Sequence, residues 1–230
     1  MKYEVILFDA DRTLFDFDKA EEHALEQLMN YFEVEYQKEY HLKQYQLINK
    51  KLWEELEQEL VTPDELKIER FRRLAEELEL KIEEQDLSEK YLEFLAEGYF
   101  LLKGALKLIK YLHKDYKLAI VTNGLATVQK GRLKASPLKD YFDHLIISEE
   151  IGVAKPNPKI FEHTFKEIGH QDKSNVLIVG DSLSSDIQGG INFGIDTCWF
   201  NPHNQENLTD LKPTYEISEL NELKIVLSGK

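Results

Sequence analysis

Two carboxylates stand two positions apart where the first apolar segment of the chain ends. Asp9 and Asp11 come directly after Val5–Phe8, a run whose composition predicts a short buried strand. A carboxylate can attack phosphorus when a metal ion offsets the repulsion between the two anions, and a second carboxylate can act as general acid and then as base. A surface turn also contains such pairs, so these two residues alone leave both interpretations open.

A second pair of carboxylates follows another apolar run, at residues 176–179. Asp181 comes directly after Gly180, and Asp186 lies five positions further along. Mg²⁺ prefers hard oxygen ligands and needs only one or two carboxylates beside a phosphate, so Asp181 is a candidate metal ligand. Asp186 could bind the metal through water or orient Asp181 and Ser182. The alternative for Asp186 is an acid that interacts with a helix N-terminus.

Three further polar residues are candidates for holding a phosphate group. Thr122 and Asn123 end the apolar run 117–121, and a hydroxyl with backbone N–H groups at a helix start can cradle phosphate. A Thr-Asn cap without any ligand is the alternative there. Lys155 precedes Pro156, whose ring restricts the loop, so its ammonium could be rigidly placed against a phosphate oxygen. The alternative for Lys155 is an exposed lysine.

Apolar runs alternate with helical segments after residue 104. With the first strand they predict five strands, the later four at residues 117–121, 144–147, 176–179 and 197–200. Continuous apolar strands separated by helices are typical of an α/β fold with a parallel sheet buried on both faces. In such sheets ligands bind at the carboxyl ends of the strands. The polar candidates all follow such ends or lie in adjoining loops, so the pattern predicts one shared crevice.

Residues 18–99 differ from the rest of the chain in composition and in the spacing of their apolar residues. Pro63 and Gly98 are the only proline and glycine there, and apolar residues recur at helical spacing. We therefore expect four or five amphipathic helices, with glutamate-rich faces in solvent. Thr62 followed by Pro63 predicts the start of one of them. The predicted organisation is an α/β core at 1–17 and 100–230, with an all-helical domain inserted at 18–99.

Composition excludes several classes of partner. The 230 residues include 29 Lys and Arg against 43 Asp and Glu, for a formal net charge of −14. Such a chain repels polymeric nucleic acid and anionic membranes, and no cluster of basic residues offsets the repulsion. The single cysteine, Cys198, excludes an internal disulfide, suits a reducing compartment and is expected in the core. No apolar run has the length of a signal peptide or membrane span, so we expect a cytoplasmic protein.

Four motifs in one order resemble the haloacid dehalogenase (HAD) superfamily over essentially the whole chain. They are Asp-x-Asp-x-Thr, strand-Thr-Asn-Gly, Lys-Pro and Gly-Asp-Ser-x-x-x-Asp, each at a predicted strand end or loop. The resemblance implies a Rossmann-like parallel-sheet core, and the inserted helices look like the type-1 cap of that superfamily.

The resemblance also implies roles for individual residues. Asp9 would become a phosphoaspartate, and Asp11 would act as general acid and base. Thr122 and Lys155 would bind the transferring phosphate. Mg²⁺ would be held by Asp9, the main-chain carbonyl of Asp11, and Asp181.

Longer strings are similar to the YjjG-like pyrimidine 5′-nucleotidases within that superfamily. They occur at residues 8–18, 48–53, 147–156 and 186–192. This resemblance implies a small phosphorylated substrate, a pyrimidine or deoxypyrimidine nucleoside monophosphate. Trp53 and Phe17 could stack on its base, although packing within the cap is an equal alternative for Trp53. Arg12 departs from the Gly, Asp or Glu usual there. It could contact phosphate or point outward, and we favour the outward orientation.

Other functions remain open at this point. A phosphosugar phosphatase, or a phosphomutase that returns the phosphoryl group to a substrate hydroxyl, could use the same motifs. A haloacid dehalogenase would have no use for a leaving-group acid such as Asp11 or for magnesium. A non-catalytic binding protein is disfavoured because the motif set is intact. We expect a monomer or a homodimer.

Overall fold

The computed structural model describes residues 2–58 and 60–229 and contains one six-stranded parallel sheet. The strands are β1 (Val5–Phe8), β2 (Lys117–Thr122), β3 (His144–Ile147), β4 (Val176–Gly180), β5 (Asp196–Phe200) and β6 (Tyr215–Ile217). Their order in the sheet is β3-β2-β1-β4-β5-β6, and every neighbouring pair is parallel. The prediction of an α/β fold with a Rossmann-like parallel sheet is confirmed.

The sixth strand is a difference from the sequence prediction, which had five. It is three residues long, and its central Glu216 is exposed at the edge of the sheet. A short edge strand with a polar centre has no continuous apolar run to identify it.

Helices separate the strands and form the insert. They are α1 (Phe17–Tyr31), α2 (Lys38–Glu57), α3 (Pro63–Glu77), α4 (Glu84–Glu97), α5 (Ala105–Leu112), α6 (Ala126–Ala135), α7 (Ser148–Ile151), α8 (Pro158–Ile168), α9 (Gln188–Phe193) and α10 (Leu223–Ser228). A single π-helical turn spans Leu183–Ile187. Across residues 2–58 and 60–229, no helix combines the length and the apolar composition needed to cross a membrane.

Side chains on the two faces of the sheet contribute to separate apolar clusters. Ile6 and Phe8 of β1 join one cluster with Leu108 of α5, and Val5 and Leu7 join the other, on the opposite face. Successive residues of a strand point to opposite faces, so burial on both sides requires the continuous apolar runs seen in the sequence. Cys198 of β5 is buried in the first cluster, as expected.

The chain divides into two compact units. One comprises Met1–Phe17 and Tyr99–Lys230, and the other comprises Asp18–Gly98. The second unit is inserted in the chain between β1 and α5. Assignment of these units as a catalytic core at 1–17 and 100–230 and a cap at 18–99 stays a prediction.

The inserted unit is built from α1 to α4, with α1 beginning one residue before it. The predicted helix start at Thr62 is confirmed: its Oγ1 accepts a hydrogen bond from the Glu65 N–H at 3.2 Å, and Glu65 Oε2 accepts one from the Thr62 N–H at 2.8 Å. This reciprocal capping box satisfies two donors at the start of α3. Tyr45, Phe71 and Tyr91 pack together at the centre of the unit.

Candidate active site

The site lies at the switch in strand order, between β1 and β4. β1 pairs with β2 on one side and with β4 on the other, so Phe8 lies opposite both Ile120 and Val179. Because the three strands end nearly level, the residues that follow them meet at one edge of the sheet. This edge is the usual ligand-binding position in open parallel sheets. It carries Asp9 and Asp181.

Lys155 lies at the centre of this edge and is buried, not exposed. Its Nζ donates to Asp9 Oδ1 at 2.7 Å, to Asp186 Oδ1 at 2.6 Å and to the Val121 carbonyl at 2.6 Å. All three ammonium protons therefore have an acceptor, which is the condition under which a buried lysine is tolerated. Lys155 is 146 residues from Asp9 and 31 residues from Asp186 in the sequence, so both ion pairs join distant segments of the chain.

Asn123 fixes the backbone of Lys155. Its Nδ2 donates to the Lys155 carbonyl at 2.9 Å, and its Oδ1 accepts from the Lys155 N–H at 2.8 Å. The side chain of Asn123 thus couples the end of β2 to the lysine loop, a role that the sequence did not suggest. Thr122 Oγ1 accepts from the Gly124 N–H at 3.0 Å, and its hydroxyl proton can still be donated to a phosphate oxygen. Phosphate binding by both residues stays a prediction.

Three carboxylates converge beside the lysine. Asp9, Asp181 and Asp186 each place an oxygen within 4.8 Å of the others. This set of hard oxygen donors fits Mg²⁺, which binds carboxylates and waters. Ligation by the main-chain carbonyl of Asp11 stays a prediction.

Hydrogen bonds hold the carboxylate of Asp186 and the backbone of Asp181 in place. Asp186 Oδ2 accepts from the Ser182 N–H at 3.0 Å, and Ser182 Oγ accepts from the Ser185 N–H at 3.2 Å. The Asp181 carbonyl accepts from Trp199 Nε1 at 2.8 Å, a contact that the sequence did not suggest. A side chain at Gly180 would place its Cβ 2.3 Å from Asp186 Cγ, so glycine is required there.

Burial and crowding shift the ionisation of these groups. Burial raises the pKa of Asp9 well above its usual value; the charge of Lys155 only partly opposes it, and that of Asp186 adds to it. Burial, together with the charge of Asp186, raises the pKa of Asp181 to about 7. Burial lowers the pKa of Lys155, but the charges of Asp186 and Asp9 outweigh it and the net shift is upward. The cluster is therefore short of positive charge, which favours a bound cation.

The raised pKa of Asp181 predicts how stability depends on pH in EDTA. The usual pKa of an aspartate is 3.8, and that of Asp181 in the folded protein is about 7. Between these two pH values the folded protein holds a proton that the unfolded chain has released. The free energy of unfolding is therefore expected to fall as the pH rises from 5 to 8. Urea unfolding at both pH values measures it, and Asp181→Asn should flatten the dependence. An equally steep fall in that variant would contradict the assignment.

The side chain of Asp11 is held by α6. Arg132 Nη1 donates to Oδ1 and Gln129 Nε2 donates to Oδ2, the latter at 2.6 Å. Neither partner was identified from the sequence. The available signal was two polar residues three positions apart on the helix that follows Thr122, a spacing that places them on one helical face.

Arg12, Phe17 and Trp53 are the remaining candidates from the sequence. Arg12 is exposed and has a left-handed backbone, with its guanidinium 5.0 Å from the ring centroid of Phe17. Trp53 is half-buried on α2, within the helical unit. Base stacking by Trp53 and Phe17 stays a prediction. A cleft of about 740 Å³ opens beside Asp181 and is lined also by Arg12, Trp199 and Gln205.

Comparison with known proteins identifies relatives along the whole chain. The model of haloacid dehalogenase-like hydrolases matches residues 3–194. The pyrimidine 5′-nucleotidase YjjG of Escherichia coli strain K12 is 41% identical over 227 residues, which cover 99% of each chain. The pyrimidine 5′-nucleotidase PynA of Streptococcus pneumoniae is 39% identical, covering 97% of this chain and 94% of its own.

A solved structure agrees with the family model and with the two relatives. The crystal structure of the HAD-hydrolase YfnB from Bacillus subtilis, bound to magnesium, has a TM-score of 0.92 and 38% identity, with 99% of each chain covered. Family match, sequence identity and fold all extend over the residues that build the site. The chain belongs to the haloacid dehalogenase-like hydrolase family.

Proposed function

We propose that this protein is a magnesium-dependent phosphatase that hydrolyses nucleoside 5′-monophosphates, with pyrimidine or deoxypyrimidine nucleotides as preferred substrates. One observation carries the proposal: the Asp9 carboxylate lies 2.7 Å from the buried ammonium of Lys155, inside a cluster of three carboxylates. A nucleophilic carboxylate, a fixed cation and a divalent-metal site together are what phosphoryl transfer to an aspartate requires.

The reaction follows from what each side chain can do. An Asp9 oxygen attacks phosphorus, so an O–P bond forms as the bond from phosphorus to the nucleoside 5′-oxygen breaks. Asp11 gives a proton to the departing oxygen, and then accepts one from the water that attacks the acyl phosphate. Inorganic phosphate leaves and Asp9 is regenerated. Thr122 donates to a phosphate oxygen, and Lys155 binds the phosphate through its fixed positive charge, since its three protons already have protein acceptors. Together they orient the group for in-line attack.

Mg²⁺ would be held by Asp9, the main-chain carbonyl of Asp11, and Asp181. When bound, it supplies positive charge that offsets repulsion between the nucleophile and the phosphate oxygens. Asp186 touches both the Lys155 ammonium and the Ser182 N–H, so we assign it to orienting the site. The Mg²⁺-bound relative YfnB supports this assignment of the metal.

The choice of nucleotide as substrate rests on the relatives. Two proteins that are 39–41% identical to this chain are named pyrimidine 5′-nucleotidases. We propose Trp53 and Phe17 as the aromatic surfaces that meet the base. The net charge of −14 argues against polymeric nucleic acid as a substrate. A cytoplasmic location and a monomeric or homodimeric state stay predictions.

Phosphate release from a panel of substrates tests the proposal. With Mg²⁺, UMP and dTMP should yield one inorganic phosphate per nucleoside, at higher kcat/KM than purine nucleotides or sugar phosphates. EDTA should abolish release, and Mg²⁺ added afterwards should restore it.

Each alternative has its own signature in the same panel. Preferred release from a sugar phosphate would make the protein a phosphosugar phosphatase. An isomerised sugar phosphate without release of phosphate would indicate a phosphomutase. Dechlorination of chloroacetate in EDTA would indicate a dehalogenase. No release from any compound with Mg²⁺ would favour a binding protein.

A further inference from the structure

Both oxygens of the Asp11 carboxylate are engaged by one helix. Arg132 reaches Oδ1 through Nη1, and Gln129 reaches Oδ2 through Nε2 at 2.6 Å. The two partners follow Asp11 by 121 and 118 residues, so no local turn explains the contact. We call Gln129 and Arg132 the α6 clamp.

Contacts at the start of α6 support the positions of the two side chains of the α6 clamp. Glu149 accepts a hydrogen bond from the Ala126 N–H at 2.6 Å, which fixes the start of α6. A Cβ at Gly124 would lie 2.2 Å from Gln129 Nε2, so the absence of a side chain makes room for that amide. Gln129 and Arg132 are both buried, and their three-residue spacing aims them from one helical face.

The guanidinium of Arg132 is poorly explained by stability alone. It is fully buried against the rings of Phe15 and Phe17, at 5.5 and 5.7 Å from their centroids. Within the described part of the chain, its Nε and Nη2 have no hydrogen-bond partner. Burying unpaired N–H groups and a charge is costly, and apolar replacements of buried ion pairs are often as stable or more so. The ion pair with Asp11 is the contact that an apolar residue at this position could not make.

We propose that Arg132 and Gln129 are positioning residues that fix the carboxylate of Asp11 toward the leaving-group oxygen. The inference rests on the proposed phosphatase function. A carboxylate has about four acceptor positions, and the α6 clamp takes one on each oxygen, which leaves others for the substrate. In its protonated form, Asp11 can then give that proton to the 5′-oxygen as the P–O bond breaks and the bond between the Asp9 oxygen and phosphorus forms. A freely rotating Asp11 would be aligned only part of the time.

Substrates with different leaving groups separate this role from a merely structural one. A nucleoside 5′-oxygen must be protonated as it departs, whereas p-nitrophenolate leaves without an acid. Arg132→Met and Gln129→Met are therefore expected to lower kcat/KM for UMP by about 10- to 100-fold. The same variants should lower kcat/KM for p-nitrophenyl phosphate by less than about threefold. Arg132→Lys should recover part of the loss on UMP.

Two further comparisons sharpen the test. Lys130→Met removes an exposed cation from the same helix, one that pairs with Glu150. It should leave kcat/KM unchanged for both substrates. In an Asp11→Asn background, Arg132→Met should cause no further loss, because residues that act as a unit are not additive.

Equal losses on the two substrates, or multiplicative losses with Asp11→Asn, would overturn the assignment. If Arg132→Met does not fold, Gln129→Met and Arg132→Lys decide the question by the same ratio of substrates. A wild-type protein that releases no phosphate from either compound would instead refute the proposed function itself.

Discussion

Asp9→Asn is expected to lower kcat/KM for phosphate release from UMP by at least about 10⁴-fold. The amide cannot attack phosphorus, and among residues 2–58 and 60–229 no other carboxylate both contacts Lys155 and follows β1 directly. Acid-quench labelling with a phosphorus-labelled substrate measures the phosphoenzyme directly. Asp140→Asn, an exposed position in the same unit, is the matched control and should retain full labelling.

The same substitution should make the metal-free protein more stable at pH 8. Burial raises the pKa of Asp9, so the ionised carboxylate that the site needs opposes folding. An uncharged amide removes that opposition, as often happens when an active-site residue is replaced. Urea unfolding in EDTA checks the sign. Persistent labelling in Asp9→Asn, or a marked loss of its stability, would refute the assignment of Asp9 as a buried ionised nucleophile.

Lys155→Met is expected to cost both activity and stability. Removing the ammonium leaves Asp9 and Asp186 buried without their shared cation, and breaking a buried ion pair in this way costs about 3–5 kcal/mol in the free energy of unfolding. Activity should fall by about 10³-fold or more, since the fixed positive charge that holds a phosphate oxygen is lost.

The pH dependence distinguishes the charge of Lys155 from its packing. Without the ammonium the Asp9 carboxyl becomes harder to ionise, so the loss of stability should be larger at pH 8 than at pH 6. Lys159→Met, an exposed lysine in the first turn of α8, should change the free energy of unfolding by less than about 0.5 kcal/mol. A loss below about 1 kcal/mol at pH 8, with activity retained, would contradict the role of Lys155.

Local signals were sufficient to predict five of the six strands and several of the candidate catalytic residues. Val5–Phe8 and residues 176–179 are continuous apolar runs, and burial on both faces of a parallel sheet demands that pattern. Asp9 and Asp181 follow those runs directly, so their meeting at one edge follows from strand direction. The capping box at Thr62 is equally local, because its bonds span three residues.

Long-range pairing could not be obtained in this way. Hydropathy places lysine and arginine in solvent, yet Lys155 and Arg132 are buried because carboxylates from distant segments compensate them. The edge strand β6 lacks an apolar run, so only its pairing with β5 defines it.

The Asp9–Asp11 pair marks the boundary between the two kinds of information. Its residue types and its position after a strand were sufficient to predict where phosphoryl chemistry takes place. Only the tertiary structure directs the two carboxylates to different partners, Asp9 to Lys155 and Asp11 to the α6 clamp. The physical reason is that a hydrogen bond depends on distance in space, and separations of 118 to 146 residues leave no periodic trace in the sequence.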